Sequence, residues 1–320
     1  MLAAMKRLLL LLLLAAALSV RAAYPDRPVK IVVAAGAGSA SDVRSRWIAA
    51  QLGERLGQTV VVENQAGGSG TIGSRNVARS APDGYTLLLA HLGNLVMAPH
   101  VNENIGYDPV TDFAPVARLT GGYAVLTCNP QFPARTVAEL VKIGKEKPGS
   151  INWGNTGVGA PPWMLGELFR KTAGVEITQV QYKGGGELLT DLIGGRIDCW
   201  MEGLNVQVPH IKAGKIRALA VASPQRLDPL PDVPTMTEAG LPDFKFQGWM
   251  GIVAPAGTPR PVVEKLNGLI RSILATPEAR QVLADQGAFP VFESPEEFAA
   301  FIGAERQKWV PLVRTVSTAR

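Results

Sequence analysis

The feature that most constrains this chain is a short β-rich run, a glycine turn and a helix start, and this unit occurs twice. The first is Lys30–Asp42, Lys-Ile-Val-Val-Ala-Ala-Gly-Ala-Gly-Ser-Ala-Ser-Asp. Beyond it, Val43 and Trp47 form one i, i+4 row and Ile48, Leu52 and Leu56 another, a periodicity that predicts a helix stopped by Gly57. The second runs from the strand pattern Ile151–Asn155 through Thr156-Gly157-Val158-Gly159-Ala160 to Pro161-Pro162, a favoured helix start, with the helix over Trp163–Thr172. A strand, a glycine turn and a helix start aim unpaired backbone N–H groups at an anion. Each unit therefore reads as half of a binding site for a negatively charged small molecule. The two are not sequence repeats of one another.

Strand and helix patterns alternate through the rest of the chain, which predicts α/β layers with mainly parallel strands. Thr59–Glu63 is a continuous valine run suited to a strand buried on both faces. Asn64–Gly73 is another glycine-rich turn, and Tyr85–Ala90 is a strand with His91 at its carboxyl end. Three loops after strands thus converge where open α/β sheets bind ligands. Tyr107–Ala117 reads as irregular, Tyr123–Cys128, Gln179–Tyr182, Arg196–Met201 and Ile216–Ala222 as strands, and Phe246–Ala254 as an extended apolar run. Capping boxes open helices at Thr136 and at Ser294, and Thr258 is the expected cap of a helix over Pro259–Ala275. A chain that leaves one lobe near 124 and returns near 246 crosses twice between lobes and leaves a cleft. The expected organisation is residues 23–124 with 246–320 in one lobe and 125–245 in the other.

Before these, Lys6 and Arg7 precede the seven leucines Leu8–Leu14 and a short small-residue tail ending Val20-Arg21-Ala22. This predicts a secretory signal peptide over 1–22, and the apolar run is short for a bilayer span. Lys6, Arg7 and Arg21 are the charged residues of that segment, so its removal takes the formal charge from +5 to +2. No basic block with interleaved aromatics is present, and no nucleic-acid partner is expected. In an oxidising compartment Cys128 and Cys199 suggest one disulfide; two separate buried thiols fit the sequence equally.

Catalytic and cofactor patterns are weak. Gly36-Ala-Gly38 with Glu63 at the end of the next strand imitates a dinucleotide-binding turn, but Ser41 replaces the third glycine. His91, His100 and His210 have no metal-ligand spacing. Nothing marks Asp198 and Glu202 as a carboxylate pair. No cofactor and no metal are expected, and the enzyme reading has no catalytic cluster to support it. Asp42, three residues after Ser39, either reaches back to cap its helix or contacts ligand.

The ordered series Tyr24-Pro-Asp-Arg-Pro28, Leu56-Gly-Gln58, Val60-Val-Val-Glu-Asn64, Gly70-Thr-Ile-Gly73, Pro82-Asp-Gly-Tyr-Thr-Leu-Leu88, Asp112-Phe-Ala-Pro-Val116, Tyr182-Lys-Gly184, Leu230-Pro-Asp-Val-Pro-Thr235 and Trp249-Met-Gly251 resembles the Bug-type extracytoplasmic solute receptors of tripartite tricarboxylate transporters, over nearly the whole mature chain. The resemblance implies a two-lobed type II periplasmic-binding-protein fold, α/β, that closes on a small ligand, usually a carboxylate, and delivers it to membrane permease subunits. It implies a periplasmic monomer that is not an enzyme. A ligand-sensing partner of a membrane signalling protein, with no transport role, is the alternative.

The family's first ligand loop corresponds to Ala34–Asp42. Gly38, Ser41 and Asp42 match it, Ala34 and Ala35 replace a proline and an aromatic, and Ser39 replaces a glycine. The second loop matches at Gly157, Gly159 and the prolines, with Trp163 where many members carry histidine and Glu202-Gly203 where many carry Asp-Asn. The ligand-binding set implied is Ala35, Ala37, Gly38, Ser39, Ser41, Asp42, His91, Asn155, Thr156, Gly157, Gly159, Trp163 and Glu202. Trp163 reads either as an aromatic wall replacing the one lost at position 35 or as ordinary packing, and its place at the helix start favours the wall. A carboxylate held by turn N–H groups and two helix N-termini needs no arginine.

Overall fold

The structure, a computed structural model, describes residues 24–101 and 104–317, so the predicted leader lies outside the described residues. β1 (Val29–Val33) leads to α1 (Ala40–Leu56), β2 (Val60–Asn64) to α2 (Thr71–Ala78), and β3 (Thr86–His91) through a π-helical turn at Gly93–Met97 to α3 (Ala98–Val101). β4 (Phe113–Gly122) is followed after one residue by β5 (Ala124–Cys128) and then α4 (Val137–Glu146). β6 (Ile151–Asn155), α5 (Pro161–Ala173), β7 (Ile177–Gln181), α6 (Gly185–Ile193), β8 (Cys199–Gly203), α7 (Leu204–Lys212) and β9 (Arg217–Val221) come next. β10 (Gly248–Pro255), α8 (Arg260–Leu274), α9 (Pro277–Asp285), β11 (Ala288–Pro290) and α10 (Pro295–Ser317) complete the described chain.

The strands form a six-stranded sheet, β11-β4-β10-β3-β1-β2, and a five-stranded sheet, β7-β6-β8-β5-β9. Both sheets are mixed, where the alternating pattern predicts mainly parallel strands. β1 pairs in parallel with β2 and β3, and β6 with β7 and β8. β10 lies antiparallel between β3 and β4, and β5 antiparallel between β8 and β9. The parallel pairs are those joined by helical crossovers. The strands next to the passages from one sheet to the other enter antiparallel. β2 is an edge strand with Val61 48% exposed, so its valine run is not buried on both faces as predicted.

Two further expectations change, and one helix was not anticipated. Phe113–Ala117, predicted irregular, is the first half of β4. Leu204–Lys212 is a helix that Pro209, inside it, conceals in the sequence. Pro259, not Thr258, stands at the N-cap of α8, and the Thr258 hydroxyl donates to the Pro255 carbonyl at 2.7 Å. The boxes at Thr136 with Glu139 and at Ser294 with Glu297 form as predicted. Cys128 and Cys199 face each other in the β5–β8 ladder and are joined by a disulfide.

The core fixes the elements that carry the loops. Ile48 and Leu52 of α1 are buried with Ile31 of β1 and Leu87 of β3. Burial of each contributes about 1.5–3 kcal/mol, so the start of α1 is held on a firmly packed helix. Under β6, Trp153 stacks on Phe169 at 5.3 Å, and its indole N–H donates to the Pro162 carbonyl, tying the strand to the start of α5.

Candidate functional site

A cavity of about 890 Å³ is lined by segments from both sheets. The loops after β1, β2 and β3 line one side, and the ends of β6, β7 and β8 line the other. Tyr123, between β4 and β5, and Gly248–Met250, where β10 begins, also line it. A second hollow of about 510 Å³ lies between α1 and β2, where Glu54 is the one charged wall residue. Among the described residues no group of three or more His, Cys, Asp or Glu could hold a metal, and no helix is long and apolar enough to cross a membrane.

The first glycine turn is held by reciprocal capping. Ser39 is the N-cap of α1, and its hydroxyl accepts from the Asp42 N–H at 3.2 Å. The Asp42 carboxylate accepts from the Gly38 N–H at 2.9 Å and is paired with Arg46. Arg46 first and the Gly38 N–H second hold that carboxyl down at about 2. Asp42 is buried and off the cavity wall; Ala37 and Gly38 are exposed and also off it, while Ala35, Ser39 and Ser41 line it. The capping alternative for Asp42 is thus the one its hydrogen bonds support. The N–H groups of Ala40 and Ser41, the first two residues of α1, have no intrahelical partner, and both residues line the cavity. Asp42→Asn is expected to lower the melting temperature while leaving ligand affinity unchanged, a pair of readings obtained from thermal unfolding and calorimetry.

The second turn is organised by Asn155, which is buried and does not reach the cavity. Its side chain accepts from the Gly157 N–H at 2.8 Å and donates to Gln179 at 2.9 Å. Thr156, Gly157 and Gly159 line the cavity, and among the described residues none of the N–H groups of Thr156, Val158 and Gly159 donates within the chain. The helix that follows has proline at its first two positions, so it has no N–H there to offer. The anion donors of this side are loop amides, not the helix terminus. Trp163 is 4% exposed, packed in the core, and absent from the cavity wall. It faces inward because α5 is buried all round at this end, every residue from Pro162 to Phe169 being buried. Tyr123, Phe246 and Trp249 are the aromatics that do line the cavity.

His91 ends β3 on the cavity wall. Its Nδ1 accepts from the Gly93 N–H at 3.0 Å, which leaves the proton on Nε2 as a donor. Glycine is needed at 93: a Cβ there would stand 2.8 Å from the imidazole. Burial pushes the imidazole down to about 4, so it is neutral at physiological pH. The unfolded chain takes up a proton near the ordinary value of about 6.5. Between those values the unfolded state binds more protons, and stability falls as pH falls. His91→Gln is expected to flatten the fall in stability between about pH 6.5 and 4, by at most about 3 kcal/mol. Unfolding curves of both proteins across that range check it.

Glu202, at the end of β8, is half-buried on the opposite wall. One carboxylate oxygen accepts from the Gly203 N–H at 2.8 Å, and burial raises the carboxyl above its usual range. Gln207, from α7, donates to the backbone carbonyls of Val125 and Glu202 and so fixes the strand end.

The sequence reading misses Arg44. It is 7% exposed and lines the cavity one turn into α1, beside Ala40 and Ser41. Its Nε donates to Gln286 at 3.1 Å, and its Nη1 reaches Thr120 at 3.3 Å and the Met250 sulfur at 3.1 Å. These are neutral acceptors. Among the described residues no carboxylate pairs with it, whereas the other buried arginine, Arg118, has Glu293. Burial lowers the Arg44 guanidinium to about 10, and it stays charged at neutral pH. A spacing signal existed: Arg44, Ile48 and Leu52 are four apart, which puts Arg44 on the buried row of α1.

The cavity thus presents loop amides from two sides, a neutral imidazole N–H and one unpaired buried cation, a set suited to a small carboxylate. The family model described as "Tripartite tricarboxylate transporter family receptor" matches residues 44–317. Over 292 residues the chain is 36% identical to "Protein BugT" of Bordetella pertussis, covering 91% of this chain and 90% of that one. Among solved structures it resembles "R. palustris Rpa4515 with adipate", at 34% identity and a TM-score of 0.82, covering 91% of this chain and 98% of the other. It also resembles MatC from Rhodopseudomonas palustris with bound malate, at 34% identity and a TM-score of 0.80, covering 91% and 100%. With the two-lobed fold, the cavity lined by both sheets and a match that spans most of its length, the chain belongs to the tripartite tricarboxylate transporter receptor family.

Proposed function

We propose that this protein is an exported receptor that captures a small carboxylate between its lobes and hands it to the permease subunits of a tripartite transporter. Residues 1–22 act as a leader that is removed, and the mature chain works in the periplasm as a monomer. Residues 23–124 with 246–320 form one lobe and 125–245 the other, a division supported by which strands share a sheet. The ligand meets Ser39, Ser41 and His91 on one wall and Thr156, Gly157, Gly159 and Glu202 on the other. The observation that carries this reading is the facing of two loops with unpaired amides across one cavity, in a family whose relatives have been solved with adipate and with malate. Closure of the lobes would bury the ligand and create the face a permease reads.

The test is thermal shift and calorimetry against di- and tricarboxylates, amino acids and aromatic acids. A true ligand at about a thousandfold over its Kd is expected to stabilise the protein by roughly 4 kcal/mol. Absence of stabilisation by every compound in the panel would refute the receptor reading, and turnover of a bound compound would replace it with an enzyme.

A further inference from the structure

The cavity wall carries one side chain of each full charge, Arg44 and Glu202, and they belong to different sheets. Arg44 is more than nine-tenths buried, and its Nη2 makes no hydrogen bond within the described chain and is not sealed off from the cavity. A thioether and a hydroxyl are poor substitutes for the water such a cation gives up. An incoming carboxylate would complete its shell with a charge-assisted hydrogen bond. On the facing wall, one Glu202 oxygen is used by the Gly203 N–H and the other has no partner in the described chain and is likewise not sealed off. A half-buried carboxylate with a spare acceptor welcomes a donor and repels a second carboxylate. His91 adds no positive charge to offset that repulsion, because its imidazole is neutral.

Resting on the receptor reading, we propose that Arg44 and Glu202 make this cavity select a monocarboxylate with a hydrogen-bond donor, hydroxyl or ammonium, at its other end, over a dicarboxylate of the same length. The carboxylate lies toward Arg44 and the amides of Ala40 and Ser41, and the donor end toward Glu202. This is a division of roles within one cavity: Arg44 sets affinity for any carboxylate, and Glu202 sets what the far end carries.

The test uses calorimetry on the mature protein with two matched series: succinate, γ-hydroxybutyrate and γ-aminobutyrate, then adipate with its ω-hydroxy and ω-amino counterparts. The wild type is expected to bind at least one hydroxy or amino acid more tightly than the dicarboxylate of equal length, and the hydroxy and amino arms identify the donor. Arg44→Gln is expected to weaken binding across the series about 10- to 100-fold, with partial recovery in Arg44→Lys. Glu202→Gln is expected to shift preference toward the dicarboxylate by about tenfold. The Glu202 variant also keeps the test decisive if Arg44→Gln fails to fold. A wild type that prefers the dicarboxylate in both series, or an Arg44→Gln protein with unchanged affinity, overturns the inference while the receptor reading stands. If none of the six acids binds, nor any other acid in the wider panel, the receptor reading falls and takes this inference with it.

Discussion

Gly157→Leu is expected to weaken ligand binding about 10- to 100-fold while both sheets stay folded. Two effects act in the same direction. Gly157 has φ +116°, a conformation that L side chains rarely adopt, and forcing a leucine there costs about 1–3 kcal/mol. The chain can relieve that strain by moving the loop, which shifts the unpaired amides of Thr156, Val158 and Gly159. If the loop holds, the new side chain projects beside Gln181, another cavity residue, because a Cβ at 157 meets nothing nearer than the Gln181 side-chain nitrogen at 3.7 Å. Either way the cradle is lost. Gly186→Leu is the control: that glycine is exposed, in a helix, with nothing within 4 Å of an added Cβ. It is expected to bind normally and to be no less stable, since leucine is the better helix former. Normal binding by Gly157→Leu would remove this turn from the site.

Replacing both Cys128 and Cys199 with alanine is expected to destabilise the protein by about 4 kcal/mol. The bridge closes a loop with a sequence separation of 71, which spans most of the five-stranded sheet. In the chain-entropy account, the constraint acts mainly on the unfolded state, and its effect grows with loop length. Both cysteines are fully buried, so alanine also leaves a small void where the sulfurs packed. The double change is preferable to a single one, which leaves a free thiol. Denaturant unfolding measures the loss, read in the transition of the five-stranded lobe, since two lobes need not unfold together. Affinity of the folded variant is expected to match the wild type, because neither cysteine lines the cavity. A loss under about 1 kcal/mol would contradict a loop-closing role.

Local patterns were readable wherever neighbouring residues alone decide the conformation. The strand–glycine–helix units fall where predicted because a strand-forming run, a glycine at positive φ and a helix start, a capping serine in one and a proline pair in the other, are each satisfied within a few residues. The capping boxes at Thr136 and Ser294 are equally local. β2 escaped this logic: a run of valines suits a buried or an edge strand, and only the order of strands assigns it to the edge. α7 was missed because proline inside a short helix mimics a break.

The site divides along the same line. From residues alone came the two turns, His91 at a strand end and the resemblance that named a receptor family. What each side chain faces was decided by contacts distant in sequence. Trp163 reads as an aromatic wall next to a glycine turn, yet the packing of α5 on its sheet turns it into the core. Arg44 continues the buried row of Ile48 and Leu52, but spacing says nothing of what partners it. It becomes the unpaired charge of the cavity only because Thr120, Met250 and Gln286, which lie 76, 206 and 242 residues away in sequence, surround it with neutral atoms. Sequence by itself determined most of the elements, the glycine turns and the family, since hydrogen bonds and side-chain periodicity within a segment are enough for those. Tertiary structure alone decided which charges are buried and left without a partner, because burial and pairing depend on which distant segments the fold brings together.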